Sequence, residues 1–401
     1  MASTSFAASV AAVDAAMRDQ VAGGAAPGMV WAISEGDETH VGWAGSNDEQ
    51  GHDPIGPDAI FRISSMTKPV ASVAALTLVE KGLFELDEPV DRLLPELADR
   101  RVLARSDAPI DETVPATRPI TVRDLLTFTL GMGMDFGPDS SPALFDATVD
   151  LGLNVGPPAP AVDPEPDEWL RRVATLPLSR QPGERWLYHL GSEVLGVLIA
   201  RAAGTSLEVV LSEVIFEPLG MTDTGFFVSP DRLERFGPCY MNNPGTGQRV
   251  LYDPVDGQWS SAPAFPSAGA GLVSTVADYL AFARMLLAGG EAPSGRRVLS
   301  AESVAAMTSD QLTDAQKAVS GPDPDGAQSW GFGLGVQIKS DELHDVGSYG
   351  WDGGLGTSWA NDPSTGRIGI LMTNQMWDSP IPPPAFRTFW TVAKSHDDAG
   401  G

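Results

Sequence analysis

The sequence predicts an α/β protein of the α+β kind, a sheet layer completed by both chain termini around an inserted, mostly helical region. Two observations carry this. Strand-like segments cluster near the two ends of the 401-residue chain, and helical periodicity dominates the stretch between them. Divided on that basis, residues 1–85 supply the first part of the α/β domain, 86–250 the helical region, and 251–401 the second part.

Taken in order, the alanine-rich amino terminus, punctuated by Asp14, Arg18 and Asp19, reads as a first helix. Gly28–Ser34 and His40–Trp43 read as strands of a hairpin turned by SEGDE. From Lys68, PVASVAALTLVEKG places apolar residues at three- and four-residue spacing and stops at Gly82. Thr121 is a natural N-cap for TVRDLLTFT. Residues 133–168 are rich in Gly, Pro and Asp with weak periodicity, which predicts a long lid-like loop. Helices are expected over 192–204, 206–216 and 274–288. Strands follow at GFGLGVQI, GTSWANDP and RIGILMTNQ, with a turn at 362–366, and a closing helix runs from about Pro384 to Lys394. No internal repeat is visible.

Composition narrows the class of function. With 42% hydrophobic and 20% charged residues the chain is an ordinary folded protein. A net charge of -27 speaks against nucleic acid or an anionic membrane as partner. The single cysteine, Cys239, excludes an internal disulfide and a cysteine-rich metal site. No run of 18 apolar residues occurs and the amino terminus lacks the pattern of a secretory signal, so a cytoplasmic location is the default expectation.

Three segments carry candidate chemistry. In FRISSMTKPVASVAAL, Pro69 has no amide hydrogen and fits only the first turn of a helix. Ser65 therefore falls at or just before the helix start, with Lys68 one turn on and on the same face. A lysine acts as a base only when neutral, which desolvation favours, and the neighbours Ile63, Met66, Val70 and Val73 are apolar. Lysine is scarce, occurring only at 68, 81, 317, 339 and 394. Taken alone, though, S-x-x-K is short, and a serine cap beside a snorkelling lysine explains it. The second segment is ERWLYHLGSEVLG, whose Tyr188 offers a hydroxyl for proton relay, or, read by itself, a packed aromatic. The third, Gly350-Trp351-Asp352-Gly353-Gly354, suits an edge strand whose glycines admit a ligand close to the backbone, or a plain bulge. No Gly-x-Ser-x-Gly elbow and no metal-binding histidine spacing occur. His189 adjoins Tyr188, but neighbouring side chains usually diverge, which weakens a catalytic role for it.

In this order and spacing the three segments resemble the serine β-lactamase and penicillin-binding-protein superfamily. LVEKGLFELDEPVDRLLPEL, ITVRDLLTFTLGM, EPLGMTDTGF, GLVSTVADYLAFARMLLAGG and GTSWANDPSTG extend the likeness to the class C branch and its esterase relatives, over most of residues 10–375. The resemblance implies a β-lactamase-like fold, with an antiparallel sheet flanked by the N- and C-terminal helices. It also implies catalysis by Ser65, Lys68 and Tyr188, an oxyanion hole from the backbone amides of Ser65 and Gly354, and no cofactor or metal.

Two departures separate the branches. Leu190 stands where penicillin-recognising members have the asparagine of Tyr-x-Asn, and Trp351-Asp352-Gly353 replaces a motif that begins with a cation. The lost amide and cation would orient a peptide-like, carboxylate-bearing substrate. Leu190, Trp351, Asp352 and Gly353 are therefore expected to line a site for neutral, partly apolar esters, as in the family VIII carboxylesterases. The same chemistry also serves a β-lactamase, a D-amino-acid peptidase or an acyltransferase. A catalytically silent ligand-binding or assembly-forming relative is the alternative of another class.

Overall fold

The computed structural model describes residues 4–136, 140–154, 156–320, 330–339 and 341–394. Its main sheet is built from strands β1 (Gly28–Glu35), β2 (Glu38–Gly45), β3 (Trp330–Phe332), β4 (Gln337–Lys339), β5 (Ser348–Gly353), β6 (Thr357–Asp362) and β7 (Arg367–Thr373). They lie in the order β2-β1-β7-β6-β5-β4-β3, and every neighbouring pair is antiparallel. The register Trp31↔Leu371 joins the first and last strands, so chain ends more than 300 positions apart complete one layer.

Alternation along β1 explains the two-sided burial. Met29, Trp31 and Ile33 face a core formed with helix α1 (Thr4–Ala22) and the closing helix, which runs over Pro384–Lys394 as expected. Val30 and Ala32 face the opposite core, which also holds Tyr279 and Phe282 of the helix Val276–Leu287. The indole of Trp31 is fully buried, and its Nε1–H donates to Asp14 Oδ1 at 3.0 Å, tying α1 to the sheet.

On that second face stands helix α2 (Thr67–Glu80), and against it packs helix α3 (Leu190–Ala203). Thr121 caps Val122–Leu126 through a complete capping box with Asp124. No single helix among the described residues is long and apolar enough to cross a membrane.

Three expectations need correction and a fourth needs refinement. GFGLGVQI is not one strand but the short hairpin β3–β4, reversed where Gly333 N–H donates to Val336 O. The Gly350–Gly353 segment is not on an edge strand, because β5 has neighbours on both sides. Yet β4 pairs only with Ser348, Tyr349 and Gly350, which leaves one side of Trp351–Gly353 without a strand partner. The segment 133–168 contains a helix, Pro142–Asp150, capped by Ser141. It buries only Leu144 fully, so it leaves no periodic stripe to read; residues 137–139 and 155 lie outside the described residues. Finally, 206–216 is helical as expected but not α throughout: the α-helix Leu207–Leu211 widens without a break into a π-helix at Ser212–Phe216, just before Pro218.

Replacing Trp31 by Ala should destabilise the protein by about 3–5 kcal/mol, through the cavity left and the lost bond to Asp14. Urea denaturation followed by intrinsic fluorescence measures this.

Candidate functional site

The nucleophile candidate sits in a rigid entry turn. Phe61 and Arg62 pair with Ser274 and Val273, and Ile63 N–H donates to Leu272 O at 3.0 Å. Arg62 is buried and donates from Nε and Nη2 to Asp253 Oδ2, at 2.8 and 2.5 Å. Gly353 presses on the same turn: a Cβ there would lie 2.3 Å from Ile63 O, so only glycine fits. The turn Ser64–Met66 is a 3₁₀ turn whose Ser64 takes φ +47°, a backbone conformation that non-glycine residues rarely adopt. It feeds directly into α2.

Three side chains meet at Ser65 Oγ. Lys68 Nζ donates to it at 3.0 Å and Tyr188 OH at 2.7 Å. Lys68 has no exposed surface and lies inside the apolar core around α2. Tyr188 is placed by reciprocal backbone bonds with Met134, each 2.9 Å, just ahead of α3. Its ring stacks between Trp186 and Trp351, at centroid distances of 5.6 and 5.9 Å, and Lys68 Nζ lies 4.6 Å from its centre.

Behind the lysine is a group that the sequence reading set aside or passed over. His189 Nδ1 is 3.2 Å from Lys68 Nζ, and its Nε2 is 3.1 Å from Glu193 Oε1. Lys68 also donates to Gly269 O at 2.6 Å, and Ser267 Oγ donates to Glu193 Oε1 at 2.6 Å. Burial, reinforced by the nearby Lys68 charge, lowers the His189 pKa despite Glu193. Burial works to raise Glu193, but the His189 and Ser267 bonds and the His189 and Lys68 charges outweigh it, and its pKa is lowered. The i, i+4 spacing of His189 and Glu193 was a legible signal. What concealed it is the φ of +81° at His189, which turns the ring toward the lysine instead of away from it.

Ser65, Tyr188, His189, Glu193 and Ser267 line a cavity of about 560 Å³. Its walls include Phe136, Trp169, Trp186, Phe265, Phe332 and Trp351, and residues 154 and 156–160 with Asp163 close one side. Among the described residues that line it there is no lysine or arginine, whereas Asp163 and Glu193 are present. Burial pushes Asp163 up to about 6.

The remaining candidates divide. Ser65, Gly354, Leu190 and Trp351 all line the cavity, and a Cβ built on Gly354 would meet nothing within 4 Å. Asp352 reaches the cavity, but its carboxylate is taken up by Lys339 Nζ at 3.2 Å and Ser358 Oγ at 2.5 Å, so it is not a bare charge facing a substrate. Gly353, expected to touch substrate, instead faces Ile63 and is not among the lining residues. No group of three or more His, Cys, Asp or Glu side chains suited to a metal ion occurs among the described residues.

Comparison with known proteins places the family and the fold. The family model described as Beta-lactamase matches residues 13–384. An uncharacterized protein, MT1414, of Mycobacterium tuberculosis is 40% identical over 326 residues, covering 79% of this chain and 77% of that one. Esterase EstB of Burkholderia gladioli is 31% identical over 355 residues, covering 83% and 82%. The solved structure of an Aspergillus terreus simvastatin synthase, the LovD6 mutant, matches with a TM-score of 0.77 at 27% identity, covering 98% of each chain. The resemblance read from the motifs, and the fold it implied, are borne out.

A carboxyl raised on folding binds a proton that the unfolded chain has already lost, so stability falls as pH rises from the ordinary carboxylate range to about 6 and stays lowered above it. Asp163→Asn should therefore raise the melting temperature at pH 7.5 and leave it nearly unchanged at pH 4, as thermal unfolding at the two pH values would record.

Proposed function

Because the chain belongs to the beta-lactamase family, we propose that it is a serine hydrolase that cleaves neutral, partly apolar carboxylic esters through an acyl-enzyme on Ser65. The observation that carries this reading is the convergence of Lys68 Nζ and Tyr188 OH on one buried serine oxygen.

In the acylation step Ser65 Oγ bonds to the ester carbonyl carbon as its proton passes to Lys68. The carbonyl π electrons move to oxygen, where the amides of Ser65 and Gly354 serve as donors. Collapse of that intermediate breaks the ester C–O bond, and the departing alkoxide takes a proton through Tyr188 from Lys68. Water repeats the sequence on the acyl-enzyme, losing its proton to the same relay and releasing the acid. The substrate is a small molecule, and no step calls on a metal or organic cofactor.

The cavity supports esters over penicillin-like substrates. Leu190 offers no amide, Trp351 offers an apolar face, and the described lining residues include no lysine or arginine to hold a carboxylate. The name of EstB points the same way. A second reading, acyl transfer to an alcohol in place of water, is favoured by the likeness to simvastatin synthase together with the 560 Å³ of space, which can admit a bulky acceptor.

Turnover of p-nitrophenyl butyrate should far exceed that of a chromogenic cephalosporin; equal or better hydrolysis of the lactam would defeat the ester reading. Ser65→Ala and Lys68→Ala should each abolish ester turnover, and Tyr188→Phe should slow it by about 10²–10⁴-fold. Mass spectrometry should find the acyl group on the Ser65 peptide. Shortening residues 156–163 should change the preferred acyl length, because that segment forms one wall.

A further inference from the structure

We propose that His189 and Glu193 are a positioning pair that aims the third valence of Lys68 at Ser65 Oγ. The proposal rests on the reading of Ser65 as nucleophile and Lys68 as base, and goes on to assign what makes that base directional.

Around Lys68 Nζ, the atoms that can only accept fix where its hydrogens point. Glu193 is 6% exposed, and its Oε1 already accepts the Ser267 hydroxyl, so that oxygen carries no hydrogen of its own. An ionised carboxylate donates nothing, so the hydrogen between it and His189 sits on Nε2. Burial and Lys68 together disfavour a second proton on the ring, so Nδ1 presents a lone pair. Gly269 O is likewise an acceptor only. Two of the three non-carbon valences of Nζ are thereby committed to N–H bonds, one to Nδ1 at 3.2 Å and one to Gly269 O at 2.6 Å. The third points to Ser65 Oγ at 3.0 Å. In the neutral amine this valence is the lone pair that accepts the serine proton. In the ammonium formed afterwards it is the N–H that returns the proton, and Glu193 lies one imidazole away to balance the new charge.

Local backbone features hold the pair in place. His189 has φ 81° and ψ −60°, and Leu190 N–H donates to Tyr188 O at 3.1 Å, which makes a strained γ-turn centred on His189. Glu193 follows one turn into α3, on the same face. A Cβ on Gly269 would lie 2.5 Å from Glu193 Oε1 and 2.9 Å from His189 Cε1, so the glycine leaves room for both side chains. The other titratable groups near the pair are Lys68 of α2, Tyr188 ahead of α3, and Asp163 on the cavity wall, whose carboxyl feels the Glu193 charge. Asp352, farther along the cavity, is already paired with Lys339.

The test is the rate at which a fluorophosphonate labels Ser65 in the intact chain, measured against pH. In that reaction Ser65 Oγ bonds to phosphorus, fluoride leaves, and the serine proton passes to Lys68, so the rate reports activation of the nucleophile whatever the natural ester. His189→Gly accepts the positive φ without strain but removes the acceptor, and labelling should slow by about 10–100-fold. His189→Asn restores an acceptor near the Nδ1 position and should recover to within about threefold of wild type. Glu193→Gln keeps a hydrogen-bonding side chain but removes the charge that favours the ammonium. Its rate profile should move about one unit to lower pH, with a lower plateau. A purely structural role would reduce the plateau without moving the profile. His189→Gly labelled at the wild-type rate, His189→Asn no faster than His189→Gly, or an unmoved Glu193→Gln profile would each overturn the proposal. A wild-type chain labelled at Ser65 yet inert toward esters would sink the ester reading alone, while wild type unlabelled at Ser65 would sink both.

Discussion

An amine with no exposure to water must find every hydrogen-bond partner inside the protein, and Lys68 is such an amine. Its partners come from three separated stretches of chain: the turn before α2, the turn before α3, and the loop at Gly269. Bringing these together takes the packing of α2 on α3 and the pairing of Arg62 with Val273, a few residues beyond Gly269. Burial of Val70, Val73 and Ala74 on α2 and of Val194, Val197 and Leu198 on α3 supplies the driving force. The hydrophobic core is thus the device that desolvates one polar group and dictates where its hydrogens point.

Polar geometry around the lysine then propagates outward. The carboxylate of Glu193 has one oxygen engaged by His189 and Ser267, and Ser267 Oγ in turn accepts Ala270 N–H at 2.9 Å, beside Gly269. The loop that supplies the carbonyl to Lys68 is therefore held by the same carboxylate that fixes the histidine tautomer. Removing any member disturbs the others, which is the cooperativity expected of a buried network.

Legibility in the sequence followed the kind of physics involved. Elements announced by periodicity or capping emerged where expected: α1, α2, the hairpin β1–β2, the Thr121 cap and the closing helix. Ser65 and Lys68 were readable because Pro69 pins the start of a helix and thus their shared face. Tyr188 needed a resemblance, since nothing local marks a tyrosine 123 positions away as a partner of Ser65. His189 was hidden by a backbone state that no residue pattern announces: a positive φ at a histidine reverses the rule that adjacent side chains diverge. The helix Pro142–Asp150 and the π-widening after Leu211 were hidden for other reasons, the one because it buries almost nothing, the other because five residues of wider i→i+5 turn are too few to disturb the apolar pattern visibly.

Strand alternation along β5 also puts an apolar side chain toward the nucleophile and a charged one on the other side of the sheet. Along β5, Trp351 faces Tyr188 while the Asp352 carboxylate is held by Lys339 and Ser358, the latter bonded to Trp390 of the closing helix. Lys339 is thereby spent behind the sheet, and Trp351 presents an indole to the cavity. With Asp163 and Glu193 among the cavity walls and no lysine or arginine among the described lining residues, a neutral ester would meet no repulsion there. On the ester reading, hydrolysis would convert the substrate to a carboxylate, for which the same walls are unfavourable. On that reading, a field that rejects acidic substrates at entry is the field that drives the acid product out.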